Sequence, residues 1–283
     1  MLDLNPLSAG FGLEARGADL ARPLSDDAFA EIERAFYAGK VLVVRGQSLT
    51  PDQFVAFARR FGPPQRHVID QFHHPQDPNI LILSNVKNQG VPTGLQDAGS
   101  YFHTDYSYLR VPARATSLYA IKVPSAGGNT LFADQQAAYD DLPQATKTCI
   151  EPLYGIHRYG NRQDTDERSR TAASTLTAAQ KATMPVITHR IARPHPVTGR
   201  TSLYAVSGSS FGIVGMPQDE ARDLLDELAT HATQEKYRYS LAYGVGDVVV
   251  WDNASLLHAA TLTDPADPRT LWRVTVLEQP CVR

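Results

Sequence analysis

Tyr101-Phe102-His103-Thr104-Asp105-Tyr106 is the stretch from which the rest of this chain can be read. Along an extended strand alternate side chains share a face, so His103 and Asp105 are expected to project to the same side. An imidazole beside a carboxylate supplies two thirds of a facial 2-His-1-carboxylate site, the arrangement that leaves half of an Fe(II) coordination sphere open for chemistry. His-x-Asp pairs also arise by chance, so the reading needs a second histidine. His258, which follows Val248-Val249-Val250 and Trp251-Asp252-Asn253, is the candidate.

For His103 and His258 to meet, strands far apart in the sequence must pair. The region 100–280 has strands at both ends with helices between them, which points to a mainly β protein with flanking helices, built on a jelly-roll (double-stranded β-helix) core. Upstream, residues 1–65 read as an α/β cap. Ser25-Asp26-Asp27 opens a helix with Phe29, Ile32 and Phe36 on one stripe. Val41–Val44 is a short buried strand, and Thr50-Pro51-Asp52-Gln53 starts a second helix with a capping box and proline in its first turn. After the strand Ile80–Leu83, the glycine-bearing stretch from Asn85 to Ser100 runs directly into His103, either as a lid or as an ordinary connection. Strands are expected at Thr116–Val123, Thr130–Phe132, Asp247–Trp251 and Leu271–Leu277. Helices are expected after Asp134, over Pro143–Ile150 and over Pro217–Thr230. Residues 155–200, rich in Arg, Thr and Pro, form an excursion from the core at the substrate entrance. The whole of 1–283 is read as one domain.

Composition narrows the function. The chain has 283 residues, of which 42% are hydrophobic and 20% charged, with a net charge of −3. That balance makes no electrostatic case for nucleic acid or an anionic membrane. No apolar run approaches a membrane span, and the start Met1-Leu2-Asp3-Leu4-Asn5 lacks the pattern of a signal peptide. The two cysteines, Cys149 and Cys281, are expected to be reduced cytoplasmic thiols without a zinc-like His/Cys setting.

Further motifs stand at fixed places: Gly127-Gly128-Asn129-Thr130, Gly246-Asp247 ahead of Trp251-Asp252-Asn253 and His258, and Arg269 followed four residues later by Arg273. With His103-x-Asp105, the Val41–Gln47 segment and Ala137-Ala138-Tyr139-Asp140, they resemble, in order and over nearly the whole chain, the Fe(II)/2-oxoglutarate dioxygenases of the taurine and 2,4-dichlorophenoxyacetate dioxygenase family. The resemblance implies Fe(II) on His103, Asp105 and His258, with 2-oxoglutarate and O2 as the other reactants. It implies that Arg269, whose planar fork suits a carboxylate, and Thr130 hold the far carboxylate of 2-oxoglutarate. It makes Arg273 the anchor for an anionic group of a small substrate, with His67 as a further contact. Tyr101 and Phe102 line the same pocket, and Phe102 stands where many relatives have tryptophan, so the pocket wall is altered. A homodimer or tetramer is implied by the same likeness.

Each residue also has a plainer reading. Arg269 and Arg273 taken alone could be solvated charges, Trp251 a core residue, and Asp252-Asn253 the turn before His258. His73, His74, His157, His189, His195 and His231 match no ligand position. Hydroxylation, desaturation and ring closure of an amino-acid-derived or natural-product intermediate all remain open. So does a 2-oxoglutarate sensor without turnover. A halogenase is disfavoured because Asp105 fills the position a halide would need, and a zinc or manganese hydrolase has no use for a dicarboxylate clamp.

Overall fold

The computed structural model describes residues 2–96, 99–159 and 176–279. Val41–Val44 and Val248–Asp252 are unbroken buried runs, the pattern expected of strands covered on both faces. They pair antiparallel, Val44 opposite Val248, and lie inside a seven-stranded sheet. Its order is Asp3–Pro6, Leu13–Arg16, Val41–Val44, Val248–Asp252, Ala113–Lys122, Thr270–Leu277 and Leu81–Ser84. Leu13–Arg16 runs parallel to Val41–Val44, and the other pairs are antiparallel. The first three strands come from the expected 1–65 α/β cap, which thereby extends the large sheet.

Two helices cover one face of this sheet. Asp26–Gly39 is capped by Ser25, and Pro51–Arg59 by the reciprocal Thr50–Gln53 box with Pro51 in its first turn. Their phenylalanines converge: Phe29, Phe36 and Phe57 each place a ring 5.0–5.5 Å from that of Phe61. These rings bury against Val44, Val248, Val250 and Val274.

The opposite face meets a second antiparallel sheet, Arg238–Leu241, Thr130–Asp134 and Leu256–Ala260. Between the sheets lie Val43, Leu118, Val249, Trp251 and Leu271 from the large one and Phe132, Leu241 and Leu256 from the small one. Strand alternation turns Ala133 and Leu257 outward, where they pack with Ala138 after the Asp134 cap and with Leu225 and Leu228 of the helix Gln218–Ala232. The described residues of the excursion 155–200 include regular strands. Tyr154–His157 pairs with both Ile187–Arg190 and Ser210–Ile213, and Ala192–Pro194 with Thr201–Leu203. The middle of that excursion, residues 97–98 of the lid stretch and Cys281 lie outside the described residues; Cys149 is a free, exposed thiol. Among the described residues no helix is long and apolar enough to cross a membrane.

Candidate active site

His258 sits in the strand Leu256–Ala260. His103 reaches it by one isolated antiparallel bridge, with His103 N–H donating to the His258 carbonyl and His258 N–H to that of His103, both at 2.9 Å. The expectation that His103 and Asp105 share a face of one strand is therefore corrected: no strand runs through the motif, and Asp105 lies in a turn. Tyr106 closes that turn in the left-handed region at φ 51°, a conformation costly for a bulky side chain and characteristic of functional sites. The outcome is nonetheless a cluster. Nε2 of His103 is 3.7 Å from Oδ1 of Asp105, and Nε2 of His258 is 3.6 Å from Oδ2. One donor atom from each of the three residues lies within 4.8 Å of the others.

The surroundings suit a metal. Nδ1 of His103 is 2.8 Å from the carbonyl of Tyr101; a proton there leaves Nε2 as the lone-pair nitrogen towards the cluster. The ring is flanked by two glycines with positive φ. A Cβ on Gly99 would stand 2.6 Å from Cε1 of His103, and one on Gly208 2.6 Å from its Cβ. His258 is held well below the ordinary imidazole pKa by burial and then by His103, so it is neutral, as a ligand must be. Burial alone would raise the Asp105 pKa; the Arg273 guanidinium is the chief opposing influence, and the carboxyl is held well below its usual range.

A ring of hydrogen bonds encloses that carboxylate. Thr116 donates to Oδ2 at 2.6 Å and Arg273 Nη2 lies 3.2 Å from Oδ1. Thr275 joins the two: its Oγ1 is 3.2 Å from that of Thr116 and accepts from Arg273 Nε at 3.1 Å. The register of Ala113–Lys122 against Thr270–Leu277 sets Thr116 directly opposite Thr275. Asn253 adds a further tie, donating to Thr116 at 3.0 Å and accepting from the Asp105 backbone N–H at 3.3 Å. Asn253 thus shapes the turn and also braces the carboxylate. Asp252, by contrast, binds His195 at 2.9 Å; this histidine is structural.

Two cavities meet at His103. The first is lined by Leu83, Leu118, Thr130, Trp251, His258, Arg269 and Arg273. Arg269 precedes the strand Thr270–Leu277 rather than belonging to it, and an irregularity between Thr270 and Leu271 separates the two arginines; both still reach this cavity. Arg269 Nε donates to the Gly128 carbonyl at 3.2 Å. Gly128 has φ 66°, and a Cβ there would stand 2.8 Å from Pro124 Cγ and 3.0 Å from the Arg269 side chain, so glycine suits this position of the Gly-Gly-Asn-Thr motif. Thr130 is buried and its hydroxyl lies 2.6 Å from that of Tyr243. The Nε1 of Trp251, a residue that also lines this cavity, is buried without a hydrogen-bond partner among the described residues. This donor set fits a dicarboxylate.

The second cavity is lined by His67, Tyr101, His103, Asp105, Tyr106, Tyr108, Tyr159 and Arg273. Burial, reinforced by Arg273, pushes His67 down to about 3, so it is a neutral wall residue. Burial raises the Tyr106 phenol to about 12 and keeps it neutral. Phe102 is not brought to this cavity. It packs towards the cluster beneath the small sheet, with Arg238 stacked 5.2 Å over its ring. Tyr106, Tyr108 and Tyr159 were not legible as wall residues. Only Tyr106 carried a signal, its place beside Asp105.

Two histidines and an aspartate whose donor atoms converge, beside two arginine-bearing cavities, form the pattern of an oxygenase of the 2-oxoglutarate-dependent class. The family model for taurine catabolism dioxygenase TauD, TfdA family, matches residues 3–275, and the chain belongs to that family. It is 34% identical over 292 residues to the alpha-ketoglutarate-dependent 2,4-dichlorophenoxyacetate dioxygenase of Cupriavidus pinatubonensis, covering 98% of each chain. It is 32% identical to pentalenolactone F synthase of Streptomyces arenae, over 96% of this chain and 94% of the relative. The crystal structure of AAD-2 in complex with Mn(II) and N-oxalylglycine superposes with a TM-score of 0.81 at 31% identity, covering 99% and 98% of the two chains. The protein is an alpha-ketoglutarate-dependent dioxygenase, using Fe(II), 2-oxoglutarate and O2.

Proposed function

We propose that His103, Asp105 and His258 bind the Fe(II), that Arg269 and Thr130 bind 2-oxoglutarate, and that Arg273 with His67 and Tyr101 receives a small anionic substrate, on a double-stranded β-helix formed by the two facing sheets. The observation that carries this reading is the position of the three candidate ligands where two cavities meet, each furnished with an arginine. When bound, iron with 2-oxoglutarate and O2 supplies the oxidising power to cleave a substrate C–H bond, with succinate and CO2 released. The protein's part is placement. Arg269 and Thr130 fix the cosubstrate from its far carboxylate. Arg273 and the neutral tyrosines fix the substrate's anion, and Trp251, Leu83 and Leu118 keep the region between the sheets dry.

Arg273 already has a carboxylate partner in Asp105, and this internal ion pair favours a bracing role; anchoring of a substrate falls to the N–H groups left over. A guanidinium offers five N–H donors, and the two contacts described use Nε and Nη2, so one residue can serve both ends. Likeness to a phenoxyacetate dioxygenase supports a carboxylate substrate. Likeness to pentalenolactone F synthase supports ring closure as the second outcome of the same chemistry. The test is O2-dependent succinate release by anaerobically iron-loaded protein against a panel of aryloxy acids, small carboxylates, sulfonates and terpenoid acids. Release stimulated by one anionic compound is expected. Tight binding of Fe(II) and 2-oxoglutarate with no succinate from any compound would favour a sensor instead.

A further inference from the structure

The hydroxyl of Thr130 has one proton and must use it well. A carboxylate accepts hydrogen bonds and donates none. If Thr130 contacts the far carboxylate of 2-oxoglutarate, as proposed above, its proton goes to the cosubstrate. The contact of 2.6 Å between Thr130 Oγ1 and the Tyr243 hydroxyl can then be made in one sense only, with Tyr243 as donor. We propose that Tyr243 is a positioning residue for cosubstrate binding: its phenol donates to Thr130 and so turns the threonine proton towards the carboxylate held by Arg269.

The fold places Tyr243 for this. It lies two residues beyond Leu241, the register partner of Thr130 in the small sheet. The turn that carries it is tied by Asp247, which accepts from Gly244 N–H at 2.6 Å and from Arg45 Nη1 at 2.5 Å. Gly246 is needed there, with φ 86° and a Cβ position only 2.6 Å from the Gln47 carbonyl. The Gly246-Asp247 pair thus ties the segment just after Tyr243 to the Arg45–Gln47 stretch. Burial holds the phenol neutral, up to about 12, so its proton is always available.

The inference rests on Thr130 being a cosubstrate residue, and the experiment separates the two. N-oxalylglycine binding to the Mn(II)-loaded protein is measured by calorimetry for wild type, Y243F, T130V, T130A, R269A and the two doubles Y243F/T130V and Y243F/T130A, with unfolding midpoints recorded for each. Y243F alone should weaken binding roughly three- to tenfold, the worth of one ordinary hydrogen bond. In either Thr130 background it should do nothing further, because its action passes through that hydroxyl. Unchanged binding in Y243F while the Thr130 variants weaken would overturn the inference, as would an equal loss from Y243F in every background. No loss in R269A or in either Thr130 variant would overturn the cosubstrate pocket itself, and this inference with it.

Discussion

Arg269 and Arg273 stand four residues apart and face overlapping cavities, yet they are held differently. Arg269 leans its Nε on a neutral backbone carbonyl, that of Gly128, and shares its cavity with Thr130 and Trp251. Arg273 is pinned against the carboxylate of Asp105 and the hydroxyl of Thr275, with its guanidinium 5.7 Å from the Tyr106 ring centroid. The lesson is that two arginines four residues apart are not a repeated device. Under the proposed function one grips the cosubstrate, while the other braces the Asp105 carboxylate and presents its remaining N–H groups to a substrate.

The sharpest break of that comparison is Asp105→Ala. It removes a metal ligand and strands the Arg273 guanidinium, so metal-dependent turnover should vanish and Mn(II) titration should show no stoichiometric binding. Arg273→Ala comes next. Breaking a buried pair from one side costs about 3–5 kcal/mol, so denaturant unfolding of the metal-free protein should be markedly easier and Mn(II) affinity should fall. Arg269→Ala should leave both nearly intact while weakening N-oxalylglycine by about 2–5 kcal/mol, the loss typical of a truncated charge contact. Equal effects of the two substitutions on metal binding would erase the distinction.

Smaller changes sharpen it further. Gly99→Ala forces a methyl onto the His103 ring in a backbone region that disfavours it. Metal affinity should drop roughly ten- to hundredfold, the range for altered support of a ligand histidine, with N-oxalylglycine binding following the metal occupancy. The mildest test concerns His157, away from both arginines. Burial and then His189 push it from the ordinary 6.5 down to about 3. The unfolded chain accepts that proton below about 6.5 and the folded one does not, so stability is complete above that pH. It then falls by about 1.4 kcal/mol per pH unit as the pH drops towards 3. Urea midpoints for wild type and His157→Asn should therefore diverge in slope between about pH 6.5 and 5, the variant being less acid-sensitive. His67, pushed down for a similar reason, keeps part of the slope in both proteins.

What could be read from the amino acids was local or carried by family order. The helix starts at Ser25 and Thr50 and the buried valine strands follow from spacing and side-chain type alone, whereas the three candidate ligands stand out only through the family resemblance. The strand assumed through His103 and Asp105 was wrong for a physical reason: Tyr106 adopts a left-handed backbone that no propensity announces, and the surrounding packing imposes it. Thr116 and Thr275 look like ordinary β-formers in sequence. Only the register between their strands turns them into supports for Asp105. Tyr159 comes from the 155–200 excursion and Gly208 from just beyond it, yet one lines the second cavity and the other packs on His103. Phe102 stood next to a ligand histidine and was read as pocket wall, but its neighbour's bridge to His258 turns it to the far side.

The most direct test of the account is a crystal structure of the protein with Mn(II) and N-oxalylglycine, with the metal located by its anomalous scattering. The account predicts one metal peak bonded to Nε2 of His103, Nε2 of His258 and a carboxylate oxygen of Asp105, with the far carboxylate of N-oxalylglycine on Arg269 and Thr130 and the Asp105–Arg273 contact kept. A metal bound elsewhere, or the analogue's far carboxylate seated on Arg273, would contradict it.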